Sequence, residues 1–332
     1  MNIISVDAYL EEQPQRGERY IARFSPQDTQ DHVLYSLAGA YISGKYPLIS
    51  PLYNNGKFTN FLKESSGYQL SYFYKKNGVF VFEPKAYYED CAFLCHPWSY
   101  NLFHWVTEGL PQLFLFESIG FAGKYIITQT GPFIKESLAL LGISTDRLIE
   151  YTGPLTVKNL YVAECFNFNK LFKFTSAIDL LRNTFLGASR PPSPPPRTRL
   201  YIARRHNRKI ANEKELINLL EPYGFQTLYM EDFSFAEQIA IAAKADTLLG
   251  PHGAGFVYSL FMPPRSTVVE LFSRNYVNFC YMPIVRHLRH KYIPIPESFF
   301  IDDLGPLYLE GGRDITPDLG VVQTVLQGHL GG

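Results

Sequence analysis

An α/β fold with parallel sheets is what the sequence predicts, on three observations. Short apolar strand-like runs alternate with helix-like runs in both halves of the chain. Five prolines in the six positions 191–196 divide those halves, because such a run fits neither a helix nor a central strand. And 332 residues exceed what one hydrophobic core usually organises, so two domains are expected.

Taken in order, the first eighty residues read as irregular and polar-aromatic. Within them Tyr68–Tyr74 turns through Lys75-Lys-Asn-Gly78 into Val79–Phe82, an expected hairpin, since Asn-Gly suits a tight turn. His96–Glu108 is helical and is closed by Gly109 and Pro111. Lys124–Thr128 is a strand, Pro132–Leu141 a helix ending at Gly142, and Leu155–Ala163 a strand. Beyond the prolines Leu200–Ala203 is a strand, and Asn212 caps a helix that runs to Leu220 before Pro222 and Gly224. Phe225–Met230 is a strand, and Ser234-Phe-Ala-Glu237 is a capping box opening a helix to about Ala243. Thr247–Gly250 is a strand, Gly253–Phe261 a short helix and Thr267–Phe272 a strand. The expected division is an N-terminal domain 1–190, a linker 191–196, a C-terminal domain 197–290, and a tail 291–332 packing back on the N-terminal domain.

Composition narrows the function. Lys+Arg and Asp+Glu are both 31, so the chain lacks the basic excess of a duplex-coating nucleic-acid binder. Cys91 and Cys95 are spaced C-x-x-x-C, which matches neither a redox C-x-x-C nor a zinc ribbon. The N-terminus has no basic n-region and apolar core, and no run approaches 18 apolar residues. The expectation is therefore a cytoplasmic chain without a transmembrane segment, leaving room for peripheral membrane association.

Right-handed crossovers put every strand-to-helix turn on one sheet edge, so the turns carry the functional reading. The turn after Leu200–Ala203 holds Arg204, Arg205, Arg208 and Lys209, and guanidinium groups there suit a diphosphate. The turn after Thr247–Gly250 is His252-Gly253-Ala254-Gly255, whose glycines admit a ligand to the backbone before a helix N-terminus. Tyr258 stands where a dinucleotide fingerprint needs its last glycine, which counts against an oxidoreductase. Glu270, in an apolar strand, needs a partner: a ribose or one of the arginines. In the N-terminal half Asn101, His104 and Glu108 share a helical face beside Trp105, and the His–Glu pair suits a general base. Two such ligands are thin as a metal site. His287 and His290 read as surface or core.

These residues resemble a known family. Asn101-Leu-Phe-His-Trp-Val-Thr-Glu-Gly-Leu-Pro111 is similar to a segment of family 61 glycosyltransferases. So are Leu200-Tyr-Ile-Ala-Arg-Arg205 through Asn212, Glu237-Gln238, Gly250-Pro-His-Gly-Ala-Gly-Phe256 and Val269-Glu-Leu271, in family order across roughly residues 90–275. The resemblance implies a GT-B fold, two Rossmann-like domains facing across a cleft, and inverting transfer from a UDP-sugar without an obligatory metal or other cofactor. The chain contains no Asp-x-Asp, which agrees with the last point. Carried over residue by residue, the resemblance places nucleotide-sugar binding at Arg204, Arg208, Asn212, His252, Gly253, Ala254, Gly255 and Glu270. The acceptor, a glycan or lipid-linked hydroxyl, falls near Asn101 and Trp105, with Glu108 preferred as base over His104. Phe256-Val-Tyr-Ser259 departs from the smaller, more polar residues usual after His-Gly-Ala-Gly. The chain looks more like bacterial members linked to capsular or other surface polysaccharides. The alternative is a non-catalytic sugar-nucleotide-binding protein of the same fold.

Overall fold

The computed structural model describes residues 3–4, 18–24, 32–43 and 48–51 as backbone strands. It further describes 86–94, 99–128, 131–153, 155–163, 175–187, 197–274, 276–297 and 313–330. The expected hairpin at 68–82 and the linker 191–196 lie outside the described residues. The chain divides into two units, Met1–Leu181 and Arg182–Gly332.

The first unit holds β1 (Ile3–Ile4), β2 (Glu18–Phe24), β3 (His32–Ser43), β4 (Leu48–Pro51), β5 (Ala86–Phe93), β6 (Lys124–Thr128), β7 (Leu148–Tyr151) and β8 (Leu155–Ala163). Their order is β1-β2-β3-β8-β5-β6-β7, with β4 on β3. Strands β8, β5, β6 and β7 are parallel, and β1 to β4 extend the sheet antiparallel. The N-terminal stretch expected to be irregular therefore carries strands. Its sequence, such as His32-Val-Leu-Tyr-Ser-Leu-Ala-Gly-Ala-Tyr-Ile-Ser43, lacks the strict two-residue alternation that announces one. Across the parallel strands Cys91, Phe93, Ile126, Ile149, Tyr151, Val157, Leu160 and Val162 form one buried cluster. Burial, with Asp90 beside it, pushes the Cys91 thiol up to about 12, so this cysteine is packing rather than chemistry.

Between β5 and β6 runs α1, built from α-helical Leu102–His104, a π-turn Trp105–Gly109 and α-helical Leu110–Ser118. Gly109 and Pro111 do not end the helix, as the sequence suggested. The ring of Pro111 opposes the carbonyl four residues back, and the wider π-turn, in which the Leu110 N–H reaches the Trp105 carbonyl, lets the helix continue. Gly109 is required there by Trp105: a Cβ on it would stand 2.5 Å from the indole. Trp105 is itself locked, its Nε1–H donating to Ser137 Oγ at 2.8 Å on α2 (Pro132–Leu140). Gly109→Ala is expected to destabilise the protein by about 1–3 kcal/mol through overpacking. An unchanged denaturation midpoint would show that the indole has room.

In the second unit β9 (Thr198–Ile202), β10 (Phe225–Leu228), β11 (Ala245–Pro251), β12 (Thr267–Phe272) and β13 (Lys291–Pro296) make one parallel sheet of order β10-β9-β11-β12-β13. Counted along this unit the order is 2-1-3-4-5, the flavodoxin-like arrangement of a doubly wound fold. After α3 (Thr175–Leu186) come α4 (Glu213–Leu220), α5 (Phe235–Ala242), a seven-residue 3₁₀ turn Ala254–Leu260, α6 (Met282–His287) and α7 (Leu319–Leu330). Ser234 and Glu237 form the expected capping box of α5.

The tail corrects the expected division. β13 pairs with β12 along its whole length, and Ile315 pairs with Ile210. Val322 and Leu326, one turn apart on α7, are buried with Leu216 and Leu220 of α4 against Tyr201, Leu249 and Val269. The described part of 291–332 thus belongs to the C-terminal sheet, because these apolar faces complete its core.

Candidate functional site

Between β9 and β11 the strand order of the second unit reverses, and the crevice outside their carboxyl ends is where doubly wound sheets hold ligands. The backbones come close here: a Cβ on Gly250 would lie 2.7 Å from the Ile202 carbonyl oxygen. Two turns meet at this point, Arg204–Asn212 after β9 and His252–Gly255 after β11.

The four cations of the first turn divide by role. Arg205 is bound by both Asp232 oxygens at 2.6 and 2.7 Å and lies over Tyr229, while Lys209 Nζ sits 3.6 Å from Asp314. Arg204 is different. Its Nε–H donates to the Asn207 carbonyl at 2.8 Å, and no carboxylate among the described residues pairs with it. Burial, then the charge of Arg208, push its guanidinium down to about 10. Arg208 lies 4.9 Å from the ring of Tyr276. Asn207 and Arg208 both have positive φ (48° and 54°), which curls the turn back on itself.

The second turn meets Arg204 directly, since a Cβ on Gly253 would overlap the Arg204 guanidinium. The Gly253 carbonyl accepts from Tyr281 Oη at 2.6 Å. His252 is 4 % exposed, stacks on Phe272 at 5.2 Å and is flanked by Tyr276 and Tyr281. Its Nδ1 lies 2.5 Å from Glu270 Oε1, and Tyr292 Oη donates to Glu270 Oε2 at 2.5 Å. Glu270, wholly buried, is therefore met by His252 and Tyr292 and not by one of the arginines, which the sequence offered as a partner. It orients His252 instead.

Other expectations need correction. Asn212 makes no side-chain cap; its Nδ2–H donates to the Pro317 carbonyl at 3.3 Å, fastening the 313–318 segment. Ala254 and Gly255 are half-buried and begin a 3₁₀ turn rather than an α-helix, so the dipole at this end is short. Phe256, Val257 and Tyr258 are buried, the packing role their size implies. Gln238 ties Met230 and Phe233 through their carbonyls. His287 ends α6, and buried His290 meets the Ser259 carbonyl at 3.0 Å. Sequence reading missed Tyr276, Tyr281 and Tyr292. The available signal was a tyrosine-rich stretch after the strand whose buried carboxylate lacked a partner.

In the first unit β5 lies between β8 and β6, where that sheet's strand order reverses, and α1 starts from its carboxyl end. Asn101 Oδ1 accepts from the Phe103 N–H at 2.9 Å, so this residue caps the helix. Trp105 is fully buried and bonded to Ser137, which makes it core rather than an acceptor contact. His104 Nδ1 pairs with Glu108 Oε1 at 3.0 Å, and of the two His104 is the more exposed, 8 % against 1 %. Among the described residues no group of three or more His, Cys, Asp or Glu side chains is arranged around a metal position. None of their helices is long and apolar enough to cross a membrane.

The chain is 35 % identical over 102 residues to the EGF domain-specific O-linked N-acetylglucosamine transferase of Drosophila melanogaster, covering 29 % of this chain and 19 % of that one. It is 40 % and 42 % identical, over 76 and 77 residues, to Protein O-linked-mannose beta-1,4-N-acetylglucosaminyltransferase 2 of Mus musculus and Homo sapiens, covering 22 % of this chain and 13 % of each. The chain thus spans less than a fifth of the length of these relatives. The family model described as Glycosyltransferase 61 matches residues 102–269, just over half of the sequence and the stretch that runs from the His104–Glu108 pair through the His252 turn, and the chain belongs to that family.

Proposed function

We propose that this protein is an inverting, metal-independent glycosyltransferase that moves a sugar from a UDP-sugar to a hydroxyl of a glycan or other acceptor. The observation that supports it most is Arg204: a half-buried guanidinium without a carboxylate partner among the described residues, repelled by Arg208, and lying over Gly253 in the turn that carries His252. An anion at this switch point relieves both burial and repulsion, and a diphosphate matches the geometry of several N–H donors. The UDP formed in a single displacement carries the charge that Arg204, Arg208 and His252 would meet.

The acceptor hydroxyl must lose a proton as it attacks the anomeric carbon and the sugar–phosphate bond breaks. The His104–Glu108 pair is proposed to take it. Because Glu108 is the more enclosed member, His104 receives the proton and Glu108 holds the resulting imidazolium. A GT-B arrangement, with an acceptor-side first unit and a donor-side second one, belongs to the same proposal, as does a role in surface-polysaccharide synthesis in the cytoplasm. The relatives' names make UDP-N-acetylglucosamine the first donor to test.

The test is a titration with UDP read by melting temperature, which rises only for a ligand of the native state, followed by mass spectrometry for donor hydrolysis or transfer. Activity is expected to persist in excess EDTA, because the chain contains no Asp-x-Asp and its switch point is cationic. A complete loss restored by Mg²⁺ or Mn²⁺ overturns the metal-independent reading.

A further inference from the structure

Glu270 is fully buried, and each of its oxygens faces one partner: His252 Nδ1 on one side, Tyr292 Oη on the other, both at 2.5 Å. The strand register explains the reach. Val268 is opposite Tyr292, so Tyr292 projects from β13 on the same face as Glu270, two residues along. Phe279 covers Tyr292 edge-on at 6.5 Å. A lone carboxylate at this depth is costly, and its two hydrogen bonds offset that cost. Beside the His252–Glu270 pair stand Tyr276, Cys280 and Tyr281 from the segment after β12, and Tyr281 in turn feels the charges of Arg204 and Arg208 from the turn after β9.

We propose that Tyr292 is a positioning residue for His252: its hydroxyl fixes the Glu270 carboxylate, and Glu270 holds the His252 ring by Nδ1, so that Nε2 is aimed at the bound diphosphate. Without Tyr292, Glu270 has one donor fewer. The carboxylate is then freer to turn, and the imidazole it holds is less well aimed at the ligand. This rests on the diphosphate site proposed above.

A double-mutant cycle on UDP affinity separates positioning from packing. Tyr292→Phe keeps the ring and is expected to weaken UDP and inorganic pyrophosphate binding alike, about tenfold, in a protein that still folds but melts somewhat lower, because a buried carboxylate oxygen loses its donor. In a His252→Ala background the same change is expected to do almost nothing, because the imidazole through which it acts is gone. Parental UDP affinity in Tyr292→Phe, or fully additive losses in the double variant, overturns the inference while leaving the UDP site standing. A parent that binds neither UDP nor pyrophosphate overturns the diphosphate site and this inference with it. Should Tyr292→Phe fail to fold, Glu270→Gln breaks the same link at the carboxylate. UDP affinity down at the His252→Ala level then supports the chain of contacts, and parental affinity refutes it.

Discussion

Replacing His104 by Gln is expected to slow sugar transfer by about 10²–10⁴-fold, the usual contribution of a positioned base, while UDP affinity stays parental. The amide keeps polarity and approximate size but cannot carry the acceptor's proton. Glu108→Gln keeps a hydrogen-bonding group 3.0 Å from His104 Nδ1 but removes the charge that stabilises the imidazolium, so its loss is expected to be smaller. The assay needs a donor and acceptor pair with turnover measured at saturating donor, so that a binding defect does not pass for a chemical one. If Glu108→Gln abolishes transfer and His104→Gln does not, the carboxylate itself is the base. If both variants turn over like the parent, the first turns of α1 are structural and the base lies elsewhere.

The second large effect concerns the phosphate grip. Arg204→Ala is expected to weaken UDP binding by about 1.5–3 kcal/mol, the range for charge-assisted hydrogen bonds. Gly253→Ala reaches the same end by another route. Its backbone is extended (φ 178°, ψ 171°), a conformation open to any residue, so the fold tolerates a methyl group there. The methyl would nonetheless occupy the space of the Arg204 guanidinium and drive it from its seat. Affinity is therefore expected to fall while the melting temperature of the unliganded protein holds. Calorimetric titration with UDP reads both. Parental affinity in either variant means that the guanidinium does not touch the ligand.

Much of this was legible before any coordinates. Strand–turn–helix order placed the Arg204 and His252 turns on one edge, and the structure puts them on adjacent strands with Arg204 lying over Gly253. Helical spacing brought His104 to Glu108. What sequence could not supply was the fate of each charge. Nothing local distinguishes Arg205 from Arg204, yet Asp232, 27 residues on, takes one and leaves the other. Glu270 has partners 18 residues before it and 22 after, set by the sheet order and the register of β12 on β13 rather than by any short pattern. Gly109 and Pro111 carried the usual signals of a helix end, and the bulk of Trp105 with the wider turn around it overrode them.

That wider turn has a consequence for insertions and deletions. A π-turn holds one residue more than the α-helical turn it replaces, so the segments on its two sides are out of phase by about 100°. Forcing the same residues into an even α-helix would swing His104 around the axis relative to Leu113 and Phe116, which the core holds in place, whereas deleting one residue within 105–109 would remove the extra residue and keep the two segments in their present phase. A change that regularises the backbone without removing a residue would thus turn the histidine away from the sheet edge, and a chain could gain stability in this helix while its reactive side chain pointed nowhere useful.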